Sequence, residues 1–206
     1  PDEDIICNGE TTALILESNA PGTTWTWTAD ANSYITGASG DDSGLNSVIA
    51  QTLSNSDNAA HNVVYSVVPT VYGQCEVPAV TAEVWVNPVP MIEVNPHEDV
   101  VCYGEGITLN VRNLNGQVRG QWVYDLRVEA DPEIGGYTEG RTYTTPVNLT
   151  EILTNSGTER HKVVYTFIPR IVPGDGGADC IGEEEVVTIW VHPRVQYVTD
   201  ISVYNG

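Results

Sequence analysis

The chain repeats itself. Cys7-Asn-Gly-Glu10 corresponds to Cys102-Tyr-Gly-Glu105 at an offset of 95, and the same offset aligns Leu14 with Leu109, Leu16 with Val111 and Trp27 with Trp122. Further along the offset is 100, where Leu53-Ser-Asn55 meets Leu153-Thr-Asn155 and His61-Asn-Val-Val-Tyr65 meets His161-Lys-Val-Val-Tyr165. The last block lies at 105 and matches Cys75 to Cys180 and Val84-Trp85-Val86-Asn-Pro88 to Ile189-Trp190-Val191-His-Pro193. Self-similarity of this kind means that one structural unit has been copied. Offsets that grow in two steps of five place loop insertions between unchanged elements, one before Leu153 and one in residues 173–179, and loops absorb such changes at little cost. Pro88, Pro90 and Pro96 mark an extended, semi-rigid connection between the copies. The chain then divides into a first repeat at 1–90, a second at 91–195, and a linker at 196–206.

Each copy reads as strands. Ile107, Leu109 and Val111 alternate with Thr108 and Asn110, and Trp25-Thr-Trp27-Thr has the same period of two, the pattern of a half-buried strand. The runs 61–68 and 161–168 are β-branched and aromatic on both faces, as a central strand of a sandwich requires. No segment keeps a 3.6-residue period over three turns; 47–53 and 147–153 leave room for one helical turn each. The expected class is all-β, two tandem sandwiches, with Trp27, Trp122, Tyr65, Tyr165, Trp85 and Trp190 as core positions.

Four cysteines, two per copy at equivalent places, permit three connectivities. Duplication favours one bridge inside each copy, Cys7 with Cys75 and Cys102 with Cys180. In the chain-entropy account a loop of this length contributes roughly 4 kcal/mol. A zinc ion held by the four thiolates would need paired short spacings, and no two cysteines are close in sequence. Disulfides persist outside the cytosol, so the expected compartment is the periplasm or beyond the cell. The order Cys-Trp-Cys resembles immunoglobulin domains in part, but the tyrosine two residues before the second cysteine is missing, with Gly73 and Ala178 in its place.

The formal charge of -20, from 28 acids against 8 basic residues, excludes a polyanion such as nucleic acid, which needs a basic footprint. Residues 1–90 carry no Lys or Arg at all. An apolar run of 18 is absent, so no transmembrane segment is expected. The opening Pro-Asp-Glu-Asp is no signal peptide and reads as the start of a piece cut from a longer polypeptide.

The catalytic signatures G-x-S-x-G, H-E-x-x-H and G-x-x-x-x-G-K do not occur. His61 and His161 recur at the same place in both copies, which marks them as structural. Asp30, Asp41, Asp42, and Asp175 and Asp179 of the Gly-rich loop offer oxygens of the kind calcium takes, although no EF-hand run exists. Tyr34, Tyr137 and Tyr143 are candidates for a platform that stacks on sugar rings. These residues point to no enzyme.

The shared pattern C-x-G-E, W-T, G, L-x-N, V-x-Y-x-x-x-P, C, V-x-V-x-P-x-P resembles the PKD-like, Ig-type repeats of very large surface proteins of gliding Bacteroidota. It covers nearly the whole chain to Pro193, and the second copy departs from it at Trp122-Val-Tyr124. The tail Val198-Thr-Asp-Ile-Ser-Val-Tyr-Asn205-Gly206 is similar to the opening of the gliding-associated C-terminal sorting domain. This resemblance implies a non-enzymatic stalk or adhesive module at the cell surface, exported by the type IX secretion system. It also implies neighbouring repeats and the outer-membrane anchoring or secretion proteins of that system as partners, with surface polysaccharide as a possible target. The alternative is a carbohydrate-binding accessory module of a secreted enzyme.

Overall fold

The computed structural model describes residues 3–72, 75–76 and 78–196. The tail 198–206 and the side chain of Cys75 lie outside the described residues. In the first repeat the strands are β1 (Glu3–Ile6), β2 (Leu14–Ile15), β3 (Thr23–Ala31), β4 (Ile35–Thr36), β5 (Val48–Ile49), β6 (Ser54–Asn55), β7 (His61–Val71), β8 (Cys75–Glu76) and β9 (Val80–Val86). The second adds β10 (Ile92–Asn95), β11 (Glu98–Val101), β12 (Gly106–Asn113), β13 (Gln121–Ala130), β14 (Ile134–Gly135) and β15 (Thr142–Tyr143). It ends with β16 (Leu149–Ile152), β17 (Thr154–Asn155), β18 (His161–Val172), β19 (Cys180–Ile181) and β20 (Glu185–Val191). No helix occurs among the described residues, and none is long and apolar enough to cross a membrane.

Both copies use one plan. The larger sheet of the first runs β1-β9-β7-β3, and that of the second β11-β20-β18-β13-β15. In the first copy β1 pairs in parallel with the last strand β9, Ile6 opposite Val86, and in the second β11 does so with β20, Val101 opposite Val191. The facing layer is thinner: β2-β5 and β4-β6 in the first copy, β10-β12-β16 and β14-β17 in the second. Alternation places Val63, Tyr65 and Val67 of β7, and Val163, Tyr165 and Phe167 of β18, inside at 4% exposure or less. They anchor two separate apolar clusters, one of Ile6, Trp27, Ile35, Ile49 and Leu53 with β7 and β9, the other spanning Ile92 to Val191. Burial of such side chains is the dominant favourable term in each copy.

Three expectations are corrected. Residues 47–53 and 147–153 form strands rather than helical turns, because Leu149 and Glu151 alternate inward with Thr150 and Ile152 outward. Trp27 and Trp122 are not counterparts: Trp27 lies opposite Val67, but Trp122 lies opposite Ile171, level with Thr23 opposite Val71. The partner of Trp27 in the second copy is Leu126, opposite Phe167. Four residues have therefore been added between Leu109 and Trp122, lengthening β12 and its following loop. The third concerns the cysteines.

Candidate functional site at the junction of the repeats

The disulfide joins Cys7 to Cys180, with Cα atoms 5.4 Å apart and a sequence separation of 173. It crosses from the first repeat to the second. The expected pairs Cys7–Cys75 and Cys102–Cys180 are thereby excluded, and Cys102 is an exposed free thiol. The physical reason lies in the loop after β18, whose extra residues 173–179 carry Cys180 back to the first strand of the preceding repeat. Asp175 Oδ2 there accepts a hydrogen bond from the Ile5 amide at 3.2 Å, and Cys7 packs against the apolar cluster of the second repeat.

Cys7 is held by the C-x-G-E turn. Its amide donates to Glu10 Oε2 at 2.8 Å, the Glu10 amide returns to the Cys7 carbonyl at 3.1 Å, and the Gly9 amide reaches the Leu53 carbonyl at 2.8 Å. Gly9 takes φ 83°, a left-handed conformation that glycine adopts without penalty. The second copy repeats every contact: Cys102 to Glu105 at 2.9 Å, Gly104 to Leu153 at 2.8 Å, φ 74°. The motif fixes a cysteine at the end of the sandwich.

The connection is covered at Asn87, Pro88 and Pro90. Asn87 is fully covered; its Nδ2 donates to the Arg119 carbonyl at 2.9 Å and its Oδ1 accepts from the Arg119 amide at 2.8 Å, so one side chain mimics a strand partner. The Arg119 guanidinium stands 3.4 Å from the centre of the Trp85 ring, a cation–π contact across the junction. The Ala60 amide donates to the Gln117 carbonyl and the Gly116 amide to the Asn58 carbonyl, at 2.8 and 2.9 Å. Gly182 lies so close that a Cβ would meet the Pro90 carbonyl oxygen at 2.0 Å. Residues 114–120 belong to the segment with the four added residues. Both insertions of the second copy thus serve the seam.

Other predicted positions distribute as follows. Trp27, Trp122, Tyr65 and Tyr165 are 7% exposed or less, whereas Trp85 and Trp190 lie outside both clusters and carry cations, Arg119 on one and Arg160 and Lys162 on the other. His61 is bracketed by Asp57 at 2.7 Å and Asn32 at 2.6 Å and stacks on Tyr34; His161 faces Asp131 and Glu133 at 3.4 Å. The histidine and the Asn58 amide together hold the Asp57 carboxyl below the usual range. Among the described residues no three His, Cys, Asp or Glu gather as a metal site. Asp30 and Asp42 are exposed. Asp41 is held below its ordinary pKa by Ser43 and Asn46, Asp175 binds Ile5 and Gly177, and Asp179 pairs with Arg170. The tyrosine platform is not assembled: Tyr143 is buried, stacked on Tyr124 at 4.8 Å, and Tyr34 is engaged with His61.

Sequence reasoning passed over Asn55 and Asn155, though the L-x-N pattern held them in view. Asn55 Nδ2 donates to the carbonyls of Ala59 and Val86 at 2.8 and 2.9 Å, and Asn155 Nδ2 to those of Glu159 and Val191 at 2.7 and 2.8 Å. Each ties the loop before the central strand to the last strand.

The sequence profile of the PKD-like domain matches twice, at residues 4–90 and 95–195. The chain belongs to the PKD-like domain family. Domains of this Ig-like type are typically non-catalytic modules of adhesion or structure. No curated protein matches the chain. Among solved structures, the N-terminal four Ig domains of Dscam1 isoform 1.9 are 8% identical with a TM-score of 0.37, over 93% of this chain and 44% of that one. The PKD-like chain thus spans less than half of that structure. Human protocadherin-24 EC1-2 is 10% identical, TM-score 0.37, over 94% and 95% of the two chains. The fibronectin(III)-like modules of CbhA from Clostridium thermocellum are 14% identical, TM-score 0.32, over 96% and 94%. The disulfide is a bond of oxidising compartments, and with the Ig-like fold it marks the protein as extracellular or secreted.

Proposed function

We propose that this chain is a non-enzymatic stalk segment of a large cell-surface adhesin of the gliding-motility type, exported by type IX secretion. We take the repeats as 1–90 and 91–195, with 196–206 leading into a sorting domain. The observation that carries the mechanical part is the Cys7–Cys180 bond, which crosses the junction and clamps two modules already in contact through Asn87 and Arg119. A stalk has to transmit load without letting its modules hinge freely, and interfaces between domains in one chain do hinge unless they are held. The gliding assignment draws support from the repeat pattern and the tail sequence. Secretion-system and outer-membrane proteins, and neighbouring repeats, are the partners this reading requires.

The test has two arms. Electron micrographs of the intact adhesin should show the PKD-like pair as successive beads at a fixed angle, and calorimetric titration against a glycan panel should show no saturable binding. Saturable binding of one glycan class, with the pair tethered to a catalytic domain, would replace the stalk by a carbohydrate-binding accessory module.

A further inference from the structure

We infer that the first repeat takes up an extended strand of the β10 kind, laid antiparallel along Ile15, Leu16 and Glu17 by polypeptide that enters at Pro1. The second repeat shows the arrangement filled. There β10 pairs with β12, Val94 opposite Val111 and Asn95 opposite Asn110. Ile92 and Val94 are buried in the apolar cluster, and the strand packs over β18 and β20. Under this cover Leu109, Val111, Tyr124, Ile171 and Val187 are all 4% exposed or less.

The first repeat builds the same edge and leaves it unpaired. β2 and β5 keep the register of β12 and β16, Leu14 opposite Ile49 as Leu109 is opposite Leu149. Among the described residues β2 pairs with β5 alone. The Leu16 amide donates to the Ser47 carbonyl at 2.8 Å, so antiparallel alternation turns the Ile15 and Glu17 amides toward the other edge. Beside that edge lies an apolar groove of about 810 Å³, whose lining includes Leu16, Trp25, Val67, Val71 and Ala82. Strand register makes Trp25, Val71 and Ala82 the counterparts of Tyr124, Ile171 and Val187, as Leu16 is of Val111. All four are half-buried where their counterparts are covered. The edge strand is shorter too, Leu14–Ile15 against Gly106–Asn113.

Chemistry and attachment together name the occupant. An unpaired strand edge above an apolar groove accepts an extended segment, whose main chain completes the ladder while alternate side chains enter the groove. Pro1-Asp-Glu3-Asp-Ile-Ile-Cys7 matches Pro96-His-Glu98-Asp-Val-Val-Cys102 at the offset of 95. The counterpart of Asn95 is therefore the position immediately before Pro1. β1 and β11 hold equivalent places, Glu3 opposite Glu83 and Glu98 opposite Thr188. Only Pro96 and His97 separate β10 from β11, and a segment joined at Pro1 has the same short reach. The occupant is a strand of apolar–polar–apolar pattern like Ile92-Glu-Val94.

The test compares the chain with one that carries a copy of residues 89–95 joined directly to Pro1. Amide hydrogen exchange is followed by NMR at Ile15 and Glu17, with Asn110 and Arg112, whose partner strand is present in both proteins, as the internal reference. The extension should slow exchange at Ile15 and Glu17 by about tenfold or more. It should also move tryptophan emission to shorter wavelength, a shift that Trp25→Phe removes. Ile92→Asp and Val94→Asp made together in the copied segment should cancel both effects. Unchanged exchange in the extended chain, or equal protection by the aspartate version, overturns the inference. A dimer of the extended chain that protects the two amides between copies gives the edge to a second copy and overturns it as well. Neither readout depends on the stalk reading, which glycan titration decides separately.

Discussion

Pulling the chain by its two ends should reveal a load path that bypasses nearly all of it. Force entering at the N-terminus meets Cys7 and crosses the sulfur bridge to Cys180, so the polypeptide between them bears no tension while the bond is intact. A separation of 173 residues, at about 3.5 Å per extended residue, hides roughly 600 Å of contour. Only the segments outside the loop, about 30 residues, can lengthen, which is on the order of 100 Å. The assay is optical-tweezer extension of the terminally tethered chain, first oxidised, then with reductant or as Cys7→Ser. Oxidised molecules should lengthen by no more than that smaller amount, and reduction should release the remaining ~600 Å as the two sandwiches unfold. Release of the full length from the oxidised protein would refute the reasoning. In the chain-entropy account the same loop contributes about 5 kcal/mol by restricting the unfolded state.

Two further outcomes concern the cores. Asn55→Ala or Asn155→Ala should each cost about 1–3 kcal/mol in urea titration, because the carbonyl of Val86 or Val191 loses its donor where the bond is buried. Glu151 is 2% exposed and burial raises its pKa, so the folded state favours the protonated acid and stability falls as pH rises from 4.5 through the folded value. Its counterpart Gln51 accepts from Tyr65 Oη at 2.9 Å. Glu151→Gln should therefore raise the midpoint of thermal unfolding at pH 7, and the gain should vanish below about pH 4.5; a gain equal at pH 3 and pH 7 would refute a charge effect.

The strands were legible because alternation is a local property. Val63, Tyr65 and Val67 announce their buried face with no knowledge of what covers it. The tryptophans misled for the same reason: two residues of one type at one offset suggested equivalence, yet the inserted residues before Trp122 had already shifted the register. The disulfide was misread because a duplicated pair of cysteines looks like a closed bridge per unit, while the bond joins the front position of one copy to the loop position of the next. A usable signal was present. Both insertions occur in the second copy, and both reach back to the first, through Arg119 on Trp85 and Asp175 on Ile5. Loops that lengthen in the second copy and reach back to the first mark the seam between the two.

Peptide mapping of the unreduced chain reaches the central claim most directly. The account predicts a cross-linked pair containing Cys7 and Cys180, with Cys102 open to alkylation in the two-repeat chain. Pairs joining Cys7 to Cys75 and Cys102 to Cys180 would contradict it, leaving each sandwich closed on itself and the junction without a disulfide.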